Sequence, residues 1–285
     1  MPFIRVALRF ILCGIPNTYE NWPLLEKAAV RADELGFWGA VIPDGYMWGP
    51  KNGGNSTMEA WTVVSHLSAK TKSIKLGTFV TPIPFRPPGL LAKVVSTVDV
   101  ISNGRTILGV GAGSSQAAFE GYSTWEGPSV RVSKTREGLE LMLRLWEEEK
   151  VDFEGRYYFA RGAVLSPKPI QRPHPPLLFG GQKKRMLELA GQYADLCFVP
   201  QWSGVPAKVT KSVVMASAAK HSRDREIAFV GGGTLPPRGE DTKAGYRTLV
   251  QSALEDGYDY LLVAFPREHY LPAMEEFARE FLPES

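Results

Sequence analysis

The sequence predicts an α/β fold, a closed (β/α)8 (TIM) barrel with a β-hairpin insertion between the fourth and fifth βα units. Two observations predict it: eight short apolar runs alternate with eight helical stretches over 285 residues, and their spacing is even. An open doubly wound sheet is the alternative, but such a sheet rarely needs eight strands so evenly spaced. Because no low-complexity linker or short-period repeat interrupts the chain, we interpret residues 1–285 as a single domain.

The N-terminal half carries the first four units. Residues 73–115 are the most informative stretch, because strand, crossover helix and parallel strand form a βαβ unit, which is nearly always right-handed. The helices are predicted from apolar residues at helical spacing, and the strands from continuous apolar runs. The predicted strands span residues 4–13, 37–42, 74–80 and 106–110, and the predicted helices span 19–35, 57–70, 90–101 and 129–149.

Residues 151–169 interrupt the alternation. Glu154 and Gly155 lie between two short alternating runs, and two prolines follow. This pattern is typical of a β-hairpin and not of another barrel unit. The alternation then resumes with predicted strands at 177–179, 196–199, 227–230 and 258–264, and with predicted helices at 184–193, 206–221, 243–255 and 270–281.

The composition argues against several classes of partner. The net charge of +3, without a long basic run, does not favour nucleic-acid binding. No stretch approaches the roughly 18 apolar residues of a membrane helix. Arg5 and Arg9 interrupt the apolar run at the N-terminus, so the layout of a signal peptide is absent. We therefore expect a cytoplasmic protein that acts on a small molecule, with neither a nucleic-acid nor a membrane partner.

The predicted strand ends converge on one mouth of the barrel, which is rich in glycine and aromatic residues. The four histidines fall in predicted helices or outer loops, and no two have metal-ligand spacing, so no metal site is predicted. Asp44 and Ser114 are the candidates for a catalytic role, but Ser114 has no visible base, so a hydrolase triad is not supported. A mouth with few acid or base groups suits a protein whose cofactor supplies the chemistry.

Two groups of residues at the mouth favour a bound ligand. Gly180, Gly181, Gln182 and Lys183 open a helix, where backbone N–H groups, the helix dipole and a lysine charge together suit a phosphate. The alternative is an ordinary strand-to-helix turn with a solvated lysine. Aromatic residues could wall a substrate pocket, although a tryptophan is more often a core residue. The predicted pocket residues are Tyr46, Trp48 and Trp202.

Several blocks of the chain resemble the luciferase-like monooxygenase family of flavin- and deazaflavin-dependent oxidoreductases. The blocks cover most of the chain in order, and the long middle blocks are the most specific. They read ADELGFWGAVIPD, MEAWTVVSHLSAKTKSIKLGTFVTP, LLAKVVSTVDVISNGRTILGVGAG, REGLELMLRLWEEEKVDFEGRYY, LSPKPIQRPHPPLLFGG and ADLCFVPQW. The resemblance implies a (β/α)8 barrel that binds FMN or the deazaflavin coenzyme F420 at its C-terminal mouth.

The resemblance also implies roles for particular residues. A non-prolyl cis peptide often lies behind the flavin ring in this family, and by position it would join Thr78 and Phe79. The glycine loop after the fourth strand would lie against the cofactor, and the loop after the fifth strand would hold its phosphate. The implied cofactor-binding residues are Asp44, Thr78, Phe79, Gly111, Ala112, Gly113, Ser114, Gly180, Gly181, Gln182 and Lys183.

Two departures from the family pattern shape the expected reaction. Deazaflavin-dependent members often read Asp-His after the second strand, where this chain has Asp44-Gly45, and several dehydrogenases place a glutamate where this chain has Ser114. Both usual proton-transfer groups are missing, which favours plain hydride transfer to an activated C=C or C=N bond. Asp44 favours F420 over FMN. The alternatives are an FMN-dependent monooxygenase or reductase, and a non-catalytic flavin-binding protein. We also expect a homodimer, because the apolar faces of such barrels commonly pair.

Overall fold

Eight parallel strands close into a barrel in the computed structural model, which describes residues 8–47, 57–201, 203–223, 226–232 and 242–283. The barrel closes because its third strand (Lys75–Thr78) pairs with the second strand (Gly39–Ile42) on one side and with the fourth (Thr106–Gly111) on the other. The predicted (β/α)8 barrel is therefore confirmed. The barrel strands are β1 (Arg9–Leu12), β2 (Gly39–Ile42), β3 (Lys75–Thr78) with its continuation β4 (Thr81–Pro82), β5 (Thr106–Gly111), β8 (Leu177–Phe179), β9 (Leu196–Phe198), β10 (Ala228–Gly232) and β11 (Tyr260–Val263), and the hairpin contributes β6 (Val151–Glu154) and β7 (Phe159–Ala163).

Helices alternate with the barrel strands and agree with the predicted ones to within a few residues. The short helix α4 is an addition that the sequence did not predict; the hydroxyl of Ser115 caps it by accepting a 3.3 Å hydrogen bond from the backbone of Ala118. Within the described ranges, no helix is long and apolar enough to cross a membrane. The helices are α1 (Trp22–Glu34), α2 (Ala60–Lys70), α3 (Pro88–Ile101), α4 (Gln116–Tyr122), α5 (Pro128–Glu147), α6 (Lys184–Tyr193), α7 (Ala207–Lys220), α8 (Thr242–Glu255) and α9 (Tyr270–Phe281).

Glycine makes the closest strand contact of the barrel possible, between β3 and β5. A Cβ atom at Gly109 would lie 1.9 Å from the carbonyl oxygen of Thr78, and one at Gly77 would lie 2.0 Å from that of Ile107. Real Cβ atoms do not approach backbone oxygen so closely, so only glycine fits at either position. The third and fourth barrel units can therefore pack directly against each other below the mouth.

Side chains fill the interior of the barrel, so the space for a ligand lies above them. The inward-facing residues form their own cluster, separate from the larger core between strands and helices. Such layers are typical of barrels whose ligands bind at the C-terminal mouth. The interior cluster consists of Ile11, Val41, Ile107, Leu178, Leu196, Phe198, Val230 and Leu262.

The predicted hairpin insertion is confirmed, and Glu137 of α5 holds it against the barrel. β6 and β7 pair antiparallel. The buried carboxylate of Glu137 accepts hydrogen bonds from the backbone N–H groups of Arg156, Tyr157 and Tyr158, at 3.1, 2.6 and 2.7 Å. One side chain thus satisfies three donors of the hairpin turn that would otherwise lack partners where they pack on α5.

Replacing Glu137 by glutamine is expected to lower the free energy of unfolding by about 1 kcal/mol. The amide keeps one accepting oxygen but places an NH2 group against a backbone donor. Urea unfolding measures the loss, and proteolysis should cut first within residues 154–159. Glu147→Gln, at an exposed position of the same helix, is the matched control. Equal losses in the two variants would contradict this role for Glu137.

Candidate functional site

A cavity of about 570 Å³ lies at the C-terminal mouth of the barrel, between the segments that follow β2, β3, β5 and β8. The cavity gathers all but one of the residues predicted to bind a cofactor. Those on its wall are Asp44, Phe79, Gly111, Ala112, Gly113, Ser114, Gly180, Gly181, Gln182 and Lys183.

The remaining predicted residues are placed differently. Thr78 is fully buried behind the wall. Tyr46 is half-buried beside the cavity and stacks on Phe85, which does line it. Trp48 and Trp202 lie outside the described residues, so their predicted place in a substrate pocket stays a prediction.

A non-prolyl cis peptide is present after β3, but it joins Phe79 and Val80. The predicted position, between Thr78 and Phe79, is wrong by one residue. The reason lies in the sheet: the N–H of Phe79 still donates to the carbonyl of Ile42 at 2.8 Å, so the chain stays in register with β2 through Phe79. The turn comes at the next bond, which places the side chains of Phe79 and Val80 on the cavity wall.

Val80 explains two of the glycines at the mouth. A Cβ atom at Gly111 would lie 2.6 Å from one methyl group of Val80, and one at Gly180 would lie 2.7 Å from the other. The sequence interpretation assigned these glycines to close approach of a ligand. The structure shows that they first make room for the valine side chain at the base of the cavity. Their contact with a cofactor stays a prediction.

Gly181, for which the sequence predicts close approach of a phosphate, likewise makes room for a neighbouring side chain. A Cβ atom there would lie 2.7 Å from the Cβ of Met186 on α6, so glycine is needed for helix packing. Gln182 donates its amide to the carbonyl oxygens of Phe198 and Gly180, at 2.8 and 3.2 Å. Lys183 is exposed at the N-cap of α6, where it can face an anion.

Asp44 is buried within an ion pair. Its side chain has no exposed surface, and its two oxygens accept hydrogen bonds from Arg86 at 2.8 and 3.0 Å and from the hydroxyl of Thr81 at 2.7 Å. Burial raises the pKa of Asp44, and the charge of Arg86 partly opposes that rise. Because these donors already occupy the carboxylate, Asp44 has little capacity left to bind a cofactor hydroxyl or transfer a proton.

The hydroxyl groups behind Asp44 extend the network into the barrel. Trp61 donates its indole N–H to the Thr81 oxygen at 3.1 Å, and Thr81 uses its own proton on Asp44. The 2.9 Å contact between the hydroxyls of Thr78 and Thr81 must then have Thr78 as donor. Thr78 therefore anchors this network, and its predicted contact with a cofactor stays a prediction.

The sequence predicts no role for Arg86. In the structure its side chain joins three segments of the mouth. Besides Asp44 it donates to Glu59, the residue that caps α2, and its guanidinium lies 5.0 Å from the ring centre of Tyr46. Burial alone would lower the pKa of Arg86, but the charge and hydrogen bonds of Asp44 outweigh burial and raise it. Arg86 therefore stays charged and neutralised by its carboxylate partners.

Arg131 is the site residue that the sequence analysis missed. It lies in the first turn of α5, is only 6% exposed, and lines the cavity. Its guanidinium stacks on Trp125 at 3.7 Å and donates to the carbonyl of Glu126, but its Nε has no hydrogen-bond partner within the described part of the chain. A buried guanidinium with a free donor at a cavity wall is a ready anion site.

A signal for Arg131 was present in the helical periodicity of α5. Arg131 shares the buried face of the helix with Thr135, Leu139 and Met142, which follow at spacings of four, four and three residues. An arginine on the apolar face of an amphipathic helix is unusual and points to a specific partner. The helix was predicted from its apolar residues alone, without asking which arginines share their buried face.

Aromatic side chains form a continuous cluster beside the cavity, and through Phe85 the cluster reaches the cavity lining. Tyr46 and Phe85 stack at 4.7 Å between ring centres with an interplanar angle of 16°. Phe85 lies 4.2 Å from Phe119, which in turn contacts Trp125 at 5.5 Å. Tyr122 covers the other side of Tyr46 at 5.0 Å. We call these five residues the aromatic wall.

The cavity can bind and orient a ligand better than it can exchange protons with one. Among the described lining residues there is no histidine, and the carboxylate of Asp44 is held in its ion pair. Ser114 is exposed and the hydroxyl of Ser115 caps α4. Within the described ranges, no group of three or more His, Cys, Asp or Glu residues is placed to hold a metal ion.

The chain matches a known protein family over nearly its whole length. The model of the luciferase-like monooxygenase family matches residues 6–279. This match spans every barrel strand and the hairpin.

Similar solved structures share the fold at low identity. The monooxygenase RslO1 from Streptomyces bottropensis is 20% identical, with 96% of this chain and 98% of that chain covered and a TM-score of 0.76. An F420-dependent secondary alcohol dehydrogenase in complex with an F420-acetone adduct is 21% identical, with 96% and 90% covered and a TM-score of 0.70. The oxygenating constituent of 3,6-diketocamphane monooxygenase from Pseudomonas putida, in complex with FMN, is 19% identical, with 87% and 74% covered and a TM-score of 0.69.

Proposed function

We propose a specific chemistry for this chain, which belongs to the luciferase-like monooxygenase family and is an oxidoreductase: hydride transfer between a bound F420 or FMN and a small organic substrate. The observation that carries the proposal is one cavity whose lining combines the cations Arg131 and Lys183 with the apolar side chains of Phe79, Val80 and Phe85. The expected homodimer and cytoplasmic location stay predictions.

The residues of the cavity fit a cofactor that has a flat ring system and a phosphate-bearing tail. Arg131 has an unused N–H, Lys183 has an exposed ammonium group at the start of α6, and both line the cavity. Together they would hold the phosphate through charge-assisted hydrogen bonds and the helix dipole. Phe79 and Val80 would support the ring system by packing against it.

When bound, a cofactor of this class supplies the hydride chemistry. The chain itself binds the cofactor and the substrate, orients them and excludes water from them. Because Asp44 is occupied by Arg86 and Thr81, and no histidine is among the described lining residues, the proton that completes the reduction would come from solvent. This arrangement suits the reduction of an activated C=C or C=N bond, which needs no strong acid from the protein.

The ion pair between Asp44 and Arg86 also bears on which cofactor the chain uses. The sequence favoured F420 because an aspartate follows the second strand. Since Arg86 and Thr81 saturate that carboxylate, Asp44 no longer distinguishes F420 from FMN. An FMN-dependent monooxygenase therefore stands beside the F420-dependent reductase as the second candidate.

Titration of the purified chain with F420 and with FMN tests the proposal. We expect at least one of them to bind with a shift of its visible absorption band, because the ring leaves water for an apolar cavity. Reduction of the bound cofactor followed by stopped-flow reoxidation then measures hydride transfer. Failure of both cofactors to bind to the folded chain would contradict the proposal.

A further inference from the structure

We infer that the side chain of Gln182 recognises the cofactor ring by accepting a hydrogen bond from an imide N–H at the edge of that ring. FMN and F420 share such a group, the N3–H that lies between two ring carbonyls. This inference rests on the proposed function and deepens it, because packing on Phe79 and Val80 alone would hold any flat ring.

The orientation of the Gln182 amide is set by its two partners. Its nitrogen, Nε2, lies 2.8 Å from the carbonyl oxygen of Phe198 and 3.2 Å from that of Gly180. A backbone carbonyl can only accept a hydrogen bond, so the NH2 end of the amide must face both of them. The flipped amide would set oxygen against oxygen and leave two acceptors without a donor.

The other end of the amide, Oε1, is left as an acceptor for a ligand. Within the part of the chain that the structure describes, no group donates a hydrogen bond to this oxygen. Gln182 is half-buried and lines the cavity. Because an amide oxygen has two lone pairs, it needs a donor from the contents of the cavity.

The amide lies beside the surface on which the ring is proposed to pack. A Cβ atom at Gly180 would lie 2.7 Å from a methyl group of Val80 and 3.5 Å from the ring of Phe79. The ring of Phe198 meets that of Phe79 edge to face, at 4.9 Å between ring centres. Both residues that fix the Gln182 amide therefore pack against Phe79, so a ring lying on Phe79 would have this amide near its edge.

A fixed acceptor discriminates between ligand groups. The amide cannot turn its NH2 group toward a ligand without giving up both backbone hydrogen bonds, so the ligand must supply the donor. A phosphate presents acceptor oxygens and would meet Oε1 unfavourably, which leaves the phosphate to Arg131 and Lys183. A ring that carries an alkyl group in place of the imide hydrogen would leave Oε1 without a partner.

Titration with FMN and with 3-methyl-FMN tests the inference, and the 3-methyl derivative of F420 replaces the latter if F420 is the cofactor that binds. The methyl group removes the donor and leaves the rest of the ring intact. We expect wild type to bind the methylated cofactor about tenfold more weakly. Because affinity is measured directly by fluorescence, the result does not depend on turnover.

Gln182→Met separates the hydrogen bond from crowding, because methionine keeps the bulk of the side chain and lacks the acceptor. The variant should bind FMN about tenfold more weakly than wild type and should discriminate less than about threefold between FMN and 3-methyl-FMN. Gln192→Met is the matched control. Gln192 is a half-buried glutamine of α6 that does not line this cavity, so its replacement should leave both affinities unchanged.

The outcomes separate this inference from the proposed function. If FMN and 3-methyl-FMN bind wild type equally well, the inference is overturned and the proposed function stands. If Gln182→Met weakens both ligands and keeps the full discrimination of wild type, crowding or loop packing explains the data and the inference is again overturned. If neither FMN nor F420 binds to the folded chain, the proposed function falls and this inference falls with it.

Discussion

Replacing Arg86 by methionine is expected to lower the free energy of unfolding by about 3–5 kcal/mol at neutral pH. The substitution leaves the Asp44 carboxylate buried, with no exposed side-chain surface and only the hydroxyl of Thr81 as a donor. Arg86 also joins the loop after β2 to the segment that follows β4, through Asp44 and the ring of Tyr46. Loss of that link should loosen the cavity wall as well.

The pH dependence of this loss identifies its cause. Burial raises the pKa of Asp44 above its ordinary value near 3.8, and Arg86 opposes the rise. Without Arg86 the pKa of Asp44 rises further, so the folded variant takes up a proton as the pH falls, before the unfolded chain does. Folding then gains stability as the pH falls through that raised pKa toward the pKa of the unfolded chain. The stability difference from wild type should therefore be largest at neutral pH and shrink in acid.

Chemical unfolding of three proteins over a range of pH measures the effect. The comparison includes the double variant Asp44→Asn with Arg86→Met, which removes both charges and should recover part of the stability that the single variant loses. Glu59 loses its ion pair with Arg86 in the single and in the double variant alike and keeps its two hydrogen bonds from Thr62, so the difference between these two variants isolates Asp44. A loss that does not change with pH, or a double variant no more stable than the single one, would show that the pair is not responsible.

The fold was predictable because its signals are local. Apolar runs of strand length alternate with helical periodicity, and the helices at Lys184–Tyr193 and Tyr270–Phe281 match their predicted bounds. The hairpin was predictable from Glu154-Gly155 between two alternating runs. Helix α4 was not, because its cap, Ser115, stands in a serine- and glycine-rich stretch that reads equally well as a loop.

The site was predictable in position and not in its contacts. The rule that ligands bind at the carboxyl ends of barrel strands places Asp44, Gly111 and Lys183 on one cavity, as observed. It cannot show that Asp44 pairs with Arg86, 42 residues away, because that contact depends on how two loops meet. The rule also cannot distinguish a glycine that lets a ligand approach from a glycine that makes room for a valine side chain.

Glycine is therefore a poor guide to ligand contact at this mouth. Gly111 and Gly180 are required by Val80, and Gly181 by Met186, so each has a packing reason to be glycine. The better guide is an unsatisfied polar atom, because a buried donor without a partner costs free energy that a structural role would not repay. By that criterion Arg131 is the residue on which binding of the cofactor phosphate should depend most.

Replacing Arg131 by methionine is accordingly expected to weaken FMN binding about 30-fold, a loss of about 2 kcal/mol, and to leave riboflavin binding unchanged. Riboflavin has the same ring and ribityl chain without the phosphate, so it isolates the contribution of the guanidinium. Fluorescence titration of both ligands measures the difference. The matched control is Arg136→Met, an exposed arginine of the same helix that pairs with Glu140.

The stability of the ligand-free Arg131→Met variant distinguishes phosphate binding by Arg131 from a structural role. Burial lowers the pKa of Arg131, and the charge of Glu126 partly opposes that fall. Methionine has a similar length and leaves no donor unpaired, which offsets the lost contacts with Trp125 and Glu126, so the ligand-free variant should unfold at nearly the same temperature as wild type. Equal weakening of FMN and riboflavin, together with a lower unfolding temperature, would show that Arg131 supports the wall of the cavity and does not bind the phosphate.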